Sequence, residues 1–335
     1  MSDRAALIAA FLRRAGWGDA ERRILAGDAS FRHYDRLRRG SESAVLMDAP
    51  PPQEDVRPFL AVAAILHRLG LSAPRILARD EAAGLLLLED LGDATYTRLL
   101  GEGADEAALY ALAVDVLIYL HRRFDPAAAT LPPYDEGRLL FEASLLVDWF
   151  LPEVTGAPVP EAIREEYLAA WRRVLPAAAM PTPTLVLRDY HVDNLLRLDG
   201  RPGVAACGLL DFQDAVIGPA SYDLVSLLED ARRDVSPALA EAMIARYLAA
   251  FPGTDRAAFL ASYAVLGAQR NCKIVGIFTR LWRRDGKSGY LKHIPRVWRL
   301  IAEDIRHPAL APVAHWLDRQ IPPALRREPS RQDAA

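Results

Sequence analysis

Leu185-Val186-Leu187-Arg188-Asp189-Tyr190-His191-Val192-Asp193-Asn194-Leu195-Leu196 carries an apolar run into a polar loop and out again into a second apolar run. The loop holds an aspartate and, five residues later, an asparagine. Downstream, Cys207-Gly208-Leu209-Leu210 ends in Asp211-Phe212-Gln213-Asp214. Phosphoryl transfer asks for this assortment. One carboxylate orients and deprotonates an acceptor hydroxyl, while an amide oxygen and another carboxylate hold Mg²⁺ on nucleotide phosphates. The transferred group is already electrophilic, so positioning and charge stabilisation carry the chemistry. Asp and Asn in a polar loop are commonly plain turn formers. Asp211 and Asp223, recurring downstream in order, weigh against that for Asp189.

Upstream of this stretch the pattern is strand-rich. Residues 4–15 read as a short amphipathic helix, followed by strand-like runs at Arg22–Leu25, Phe31–Leu37 and Ala44–Met47. Gly27, Asp28 and Ser30 make the first connection a hairpin turn, and the prolines 50–52 end the third strand. A helix is predicted over Val56–Leu69, with Gly70 as its stop, then strands near Arg75–Arg79 and Leu85–Glu89. After Glu89-Asp90-Leu91-Gly92 the chain turns to long Ala- and Leu-rich helices. Leu109, Leu112, Ala113, Val116, Leu117 and Leu120 form one buried stripe. Helices are predicted near 136–150, 160–175, 221–232, 237–250, 256–284 and 290–305, with short strands at Thr184–Leu187 and Val204–Phe212 between them. The polar tail Arg326–Ala335 is expected to fray.

Composition limits the function class. The chain has 335 residues, 51% hydrophobic and 25% charged, with a formal net charge of −3. It can build a sizeable core and is not a general nucleic-acid binder. Cys207 and Cys272 form neither a disulfide framework nor a metal-ligand spacing, which fits a reducing cytoplasm. No targeting pattern or spanning segment is visible. There are three lysines, Lys273, Lys287 and Lys292, and none in the first 272 residues.

On these motifs the chain resembles the aminoglycoside phosphotransferase and protein-kinase-like superfamily over roughly residues 20–305. The resemblance implies an α+β, two-lobed protein-kinase-like fold, with a small sheet-rich N-lobe over 1–90 and a large helical C-lobe over 91–335. Arg188, Asp189 and Asn194 match the family's catalytic loop, although Leu187 stands where the family has His. The resemblance makes Asp189 the acceptor-orienting base and Asn194 and Asp211 the Mg²⁺ ligands. Asp223, in Gly218-Pro219-Ala220-Ser221-Tyr222-Asp223, matches the residue that braces the loop. Glu89 and Leu91 match the hinge whose backbone pairs with the adenine of ATP. The loop Gly27–Arg32 occupies the place of a phosphate cover, with Ser30 and backbone amides as caps. Kinases also carry a lysine on the third strand, and Ala44-Val45-Leu46-Met47 has none. Arg32, ahead of Arg36, is the expected replacement, and Glu54, the lysine's would-be partner, is left without a role. Asp193 reads as a supporting loop carboxylate; His191 and Asp214 are expected beside the acceptor.

A closer resemblance rests on Asp28-Ala29-Ser30-Phe31-Arg32, Met47-Asp48-Ala49-Pro50-Pro51, Trp149-Phe150-Leu151-Pro152, Asp211-Phe212-Gln213-Asp214-Ala215 and Gln269-Arg270-Asn271-Cys272-Lys273. Arg284-Asp285-Gly286-Lys287, Tyr290-Leu291 and Pro295-Arg296-Val297 continue it. These segments look like the bacterial N-acetylmuramate/N-acetylglucosamine anomeric kinases of cell-wall recycling. Charge gives a separate hint: residues 270–306 hold ten Lys or Arg against three Asp or Glu. Such a segment suits an anionic acceptor, such as a lactyl carboxylate, or the nucleotide, better than a polycationic drug. Arg270, Lys273 and Arg280 fall roughly on one helix side; Arg270 and Lys273 are the expected acceptor contacts. Two alternatives stay open: a kinase for another small alcohol such as choline, homoserine or an aminoglycoside, and a nucleotide-binding pseudokinase.

Overall fold

A computed structural model describes residues 2–27, 31–180 and 182–329. In chain order the elements are α1 (Ser2–Arg14), β1 (Glu21–Gly27), β2 (His33–Arg39), β3 (Glu42–Asp48), α2 (Arg57–Arg68), β4 (Ile76–Asp80), β5 (Leu85–Glu89), α3 (Tyr96–Gly101) and α4 (Glu106–Arg123). Then follow α5 (Glu136–Leu145), α6 (Leu151–Thr155), α7 (Glu161–Val174), β6 (Thr184–Val186), β7 (Leu195–Arg197), β8 (Cys207–Leu209), β9 (Val216–Gly218), α8 (Ser221–Leu228), α9 (Pro237–Ala249), α10 (Arg256–Asp285), α11 (Ile294–Asp304) and α12 (Ala311–Gln320). A sheet-rich N-terminal region followed by a helical C-terminal one is the expected kinase-like order.

Two compact units form. One comprises Met1–Val116 and Val192–Ala215; the other comprises Leu117–His191 and Val216–Ala335. These units cut the chain elsewhere than at residue 90, for a local reason. The antiparallel pair β7–β8 is tied to the sheet-rich segment: the Leu209 N–H donates to the Ser72 carbonyl at 2.9 Å, and Thr95 bridges Leu196.

The first unit is built on an antiparallel sheet ordered β1-β2-β3-β5-β4. The central strands β3 and β5 are the two with continuous apolar runs, Ala44–Met47 and Leu85–Leu88, and all eight side chains are buried. On one face Ala44, Leu46, Leu85 and Leu87 pack with Ile8, Phe11 and Leu12 of α1. That apolar stripe is why the N-terminal segment is helical and held to the sheet.

The second unit is organised around α10, 30 residues long and buried along most of its length. The Asp255 carboxylate caps its start by accepting from the Ala257 and Ala258 N–H groups, and Gly286, at φ 70°, ends it. The helix packs against α5, α8 and α11. At Gly276 it runs so close to α5 that a Cβ would lie 2.3 Å from the Leu145 carbonyl carbon and oxygen.

Several expectations need correction. The helix expected over 136–150 widens into a π-turn at Leu146–Phe150 before α6, and the Leu151 N–H donates back to the Leu146 carbonyl. Pro152 follows and has no N–H to offer the preceding turn. The strand expected over Val204–Phe212 shrinks to β8, because residues 203–206 form a 3₁₀ turn and Asp211 has φ 57°. Strands β7 and β9, three residues each, and α12, which buries Val313, Trp316 and Leu317, add to the predicted elements. The tail is held at its start: Arg326 donates to the Ile321 carbonyl at 2.8 Å and pairs with Asp318 at 2.6 Å. Residues 330–335 lie outside the described residues.

Candidate active site

In the second unit the chain leaves β6 and enters the loop at Arg188 with φ 70°, left-handed backbone that costs an arginine energy and must be held in place. Asp223, in the first turn of α8, holds it. Its two carboxylate oxygens accept from the Leu187 N–H at 2.7 Å and the Arg188 N–H at 2.8 Å. Asp223 is wholly buried, and burial pushes its pKa up to about 7 against the pull of those two bonds. The expected brace is therefore present. Leu187, in the family's histidine position, is simply buried.

Asp189 follows directly. Burial raises its pKa, but Lys273, His191, Arg188 and Arg270 together outweigh that, and the carboxyl sits below the ordinary aspartate value. It is a carboxylate at neutral pH, as a proton acceptor must be. His191 is buried, and desolvation pushes its pKa down.

The cations around Asp189 are organised by Glu142, a residue that the sequence did not single out. This buried α5 glutamate accepts from the Arg188 guanidinium, from the Tyr134 hydroxyl and, at 3.4 Å, from the Gln269 amide. Lys273 Nζ lies 3.3 Å from the same carboxylate. Burial works against its charge, but Lys273 and Arg188 hold Glu142 below the ordinary glutamate value. A lone charge among Leu139, Leu140, Phe141 and Ala143 was the available signal.

Arg270 and Lys273 are both buried in α10. One Arg270 guanidinium nitrogen lies 3.5 Å from the Glu229 carbonyl. Arg280 is half-buried; its Nε has no hydrogen-bond partner among the described residues, and burial pushes its pKa down. Close to Arg270, Asn271 donates to Glu229 at 2.7 Å and to Asp304 at 3.1 Å. Burial raises the pKa of both acids, Glu229 to about 7 and Asp304 well above its ordinary value.

The first unit carries the candidate metal ligands. Asn194 Nδ2 lies 3.4 Å from Asp211 Oδ2, while Gln213 donates to Asp211 Oδ1 at 2.7 Å. Asp211 is in left-handed backbone, the second such non-glycine residue after Arg188. One amide and one carboxylate are hard oxygen donors of the kind Mg²⁺ takes when phosphates and water complete its octahedron. Among the described residues no cluster of three acidic, His or Cys side chains forms a metal cage. Asp193 takes the Thr97 hydroxyl, and Asp214 is exposed.

Of the residues expected to meet the nucleotide, Ser30 lies outside the described residues. Arg32 Nε donates to Glu54 Oε2 at 2.9 Å, and the Phe31 N–H donates to Glu54 Oε1 at 3.2 Å. Burial lowers the Arg32 pKa, but Glu54 and Tyr34 outweigh it and leave the guanidinium firmly charged. Glu54, expected to have no role, is thus the partner of Arg32. Arg36 is committed to Asp90 and Asp93, at 2.8 Å each. The Glu89 side chain pairs with Arg201 at 2.7 Å and Arg75 at 3.2 Å. Leu91 is half-buried, and among the described residues its N–H has no hydrogen-bond partner.

The profile of the phosphotransferase enzyme family matches residues 21–260. This chain belongs to that family. Within it, the chain is 41% identical to the N-acetylmuramate/N-acetylglucosamine kinase of Caulobacter vibrioides, across 97% of this chain and 99% of that protein. It is 40% identical to the kinase of the same name from Pseudomonas aeruginosa, across 90% of each. A choline/ethanolamine kinase family protein from Mesorhizobium loti shares the fold, with a TM-score of 0.61 at 15% identity over 93% of this chain and 99% of that one. No helix among the described residues is long and apolar enough to cross a membrane.

Proposed function

We propose that this phosphotransferase moves the γ-phosphoryl group of ATP to the anomeric hydroxyl of N-acetylmuramate or N-acetylglucosamine. The product is the sugar 1-phosphate, and the role is in peptidoglycan recycling. One observation carries the reading: 41% identity to a kinase of that name, over nearly the whole of both chains.

The residues have a division of labour that follows from their chemistry. Asp189, held ionised, orients the acceptor hydroxyl and takes its proton. Asn194 and Asp211 are the residues that would hold Mg²⁺, which when bound neutralises charge on the phosphate oxygens. Arg32, locked by Glu54, stands in for the absent strand lysine against the phosphates, with Ser30 and its loop as caps. The Leu91 N–H, together with backbone at Glu89, serves the adenine. Arg270, Lys273, His191 and Asp214 serve the acceptor. In functional terms residues 1–90 form the nucleotide lobe and 91–335 the catalytic and acceptor lobe. The buried free thiols of Cys207 and Cys272 support a cytoplasmic setting, with ATP and a small sugar as partners and no nucleic acid or membrane.

The test offers ATP and Mg²⁺ with N-acetylmuramate, N-acetylglucosamine, choline and kanamycin, and reads the product by phosphorus NMR. An α-1-phosphate of an N-acetylated amino sugar is the expected result. A phosphocholine or an O-phosphorylated aminoglycoside as the favoured product would overturn it, as would the absence of any metal-dependent ATP turnover.

A further inference from the structure

Glu142 of α5 is a negative charge set into an apolar core, only 5% exposed. Its Oε1 accepts from the Arg188 guanidinium and lies 3.3 Å from Lys273 Nζ. Its Oε2 accepts from the Tyr134 hydroxyl and, at 3.4 Å, from the Gln269 amide. Gln269 and Lys273 stand one turn apart on α10, so they reach the carboxylate from one helix face. Gln269 also donates to the Leu139 carbonyl at 3.0 Å, which ties α10 to α5 beside the same point.

A buried ion pair is weak evidence for stability, because the cost of taking charges out of water offsets their attraction. The geometry points to another use. Arg188 is the left-handed corner of the loop, and the next residue is Asp189. Asp223 fixes the backbone of that corner through the Leu187 and Arg188 N–H groups. Glu142 fixes the side chain. Tyr134 closes the circuit: its ring centroid lies 5.7 Å from the Arg188 guanidinium carbon and 5.0 Å from the ring of Tyr222, the neighbour of Asp223. The corner before Asp189 is thus held from α8 and from α5 at once. The oxygen that holds it also sets where Lys273 stands.

We propose that Glu142 is a positioning residue for phosphoryl transfer: by holding the Arg188 guanidinium and Lys273 Nζ on one carboxylate oxygen, it sets the spacing between the loop that carries the base and the α10 residues that meet the acceptor. This rests on the reading of Asp189 and Lys273 above. Glu142 acts through the two cations and not on the reacting atoms. A carboxylate is needed for the task, since a neutral amide would leave Arg188 and Lys273 facing each other with no anion between them.

The test uses the best acceptor among N-acetylmuramate, N-acetylglucosamine, choline and kanamycin. It measures kcat, and Mg·ATP affinity by titration without acceptor, for the parent, Glu142→Gln, Glu142→Asp, Arg188→Met and the double variant Glu142→Gln/Arg188→Met. A misplacement of about 1 Å at a reacting group can cost ~10²-fold. In Glu142→Gln and in Arg188→Met, kcat is expected to fall about ten- to hundredfold, with Mg·ATP affinity near the parent's. Glu142→Asp, which keeps the charge, should recover part of the rate. The double variant should lose little more than the worse single one, because both substitutions break the same contact. Losses that multiply independently would overturn the proposal, as would a parent-like kcat in Glu142→Gln. An equal fall in Mg·ATP affinity would show a general loosening of the fold and would overturn it too. Should Glu142→Gln fail to fold, Arg188→Met decides by the same readings of kcat and Mg·ATP affinity. If Asp189→Asn keeps the parent's kcat, the base reading itself falls, and this proposal with it. An impaired Asp189→Asn beside a parent-like Glu142→Gln removes this proposal alone.

Discussion

Arg32 and Glu54 form a mostly buried ion pair, with Nε and Oε2 2.9 Å apart and side chains only 13% and 12% exposed. Kinases of this fold class pair a lysine on the third strand with a helix glutamate. Here the cation comes from just ahead of β2 and the acid from just ahead of α2. On the proposed reading, a planar guanidinium takes the role of the ammonium from a different place in the chain. Arg32→Ala is expected to raise KM for ATP and lower kcat, with a combined loss of about ten- to hundredfold and little change in KM for the sugar. Glu54→Gln should move the same parameters in the same direction. Initial rates at varied ATP and fixed sugar measure both; an unchanged KM for ATP in Arg32→Ala counts against the phosphate role.

Asp189→Asn keeps the shape of the side chain and removes the proposed base. Loss of a general base costs ~10²–10⁴ in rate, so kcat should fall by that much while ATP affinity, measured by titration without sugar, stays near the parent's. Lys273 and its neighbours hold the Asp189 pKa below the ordinary aspartate value. The acid limb of the parent's kcat/KM profile should accordingly lie below that value.

Asp211→Ala removes the carboxylate of the Asn194–Asp211 pair. The Mg²⁺ concentration needed for half-maximal rate should rise at least about tenfold, since carboxylate ligands dominate affinity for so hard an ion. Sugar affinity should change little. A parent-like Mg²⁺ titration of this variant would remove Asp211 from the metal site.

Arg280 offers a buried Nε without a partner among the described residues and a guanidinium that burial disfavours. An anionic acceptor would relieve that imbalance. N-acetylmuramate carries a lactyl carboxylate and N-acetylglucosamine does not, so Arg280→Ala should lower the ratio of their kcat/KM values about ten- to hundredfold. An equal fall for both sugars would place Arg280 outside carboxylate recognition.

Glu229 and Asp304 make stability pH-dependent with a definite sign. Both have raised pKa values in the fold, Glu229 to about 7 and Asp304 higher. A raised acid contributes most where the unfolded chain is also protonated, and that contribution is lost as pH climbs through the folded pKa. The melting temperature should therefore decline from about pH 5 to pH 8, and Asp304→Asn should flatten the decline. Thermal melts across that range decide it; parallel curves for parent and variant would show that the pair does not set the slope.

The loop that opens at Arg188 was legible because chemistry and chain spacing coincide there. Asp189, Asn194, Asp211 and Asp223 lie in order within 35 residues, and each residue type suits its role. The core strands β3 and β5 were legible from uninterrupted apolar runs. Glu142 was not, because its apolar neighbours mark it only as an odd charge; its meaning comes from Lys273, 131 residues away, and from Arg188. The role of Glu54 is hidden in the sequence because its partner is an arginine and not the usual lysine. The three-residue strands β7 and β9 are too short for periodicity to register. The π-turn at 146–150 depends on a proline beyond its end.

All three lysines fall in the second unit, and the unit that holds Arg32, Asn194 and Asp211 contains none. Reagents that discover nucleotide sites by acylating a lysine beside the phosphates have no amine to modify there. On the reading that Arg32 meets the phosphates, acyl-phosphate probes are expected to leave the first unit unlabelled. A probe that reacts with guanidinium groups, or a photo-crosslinking nucleotide, would be needed to mark it.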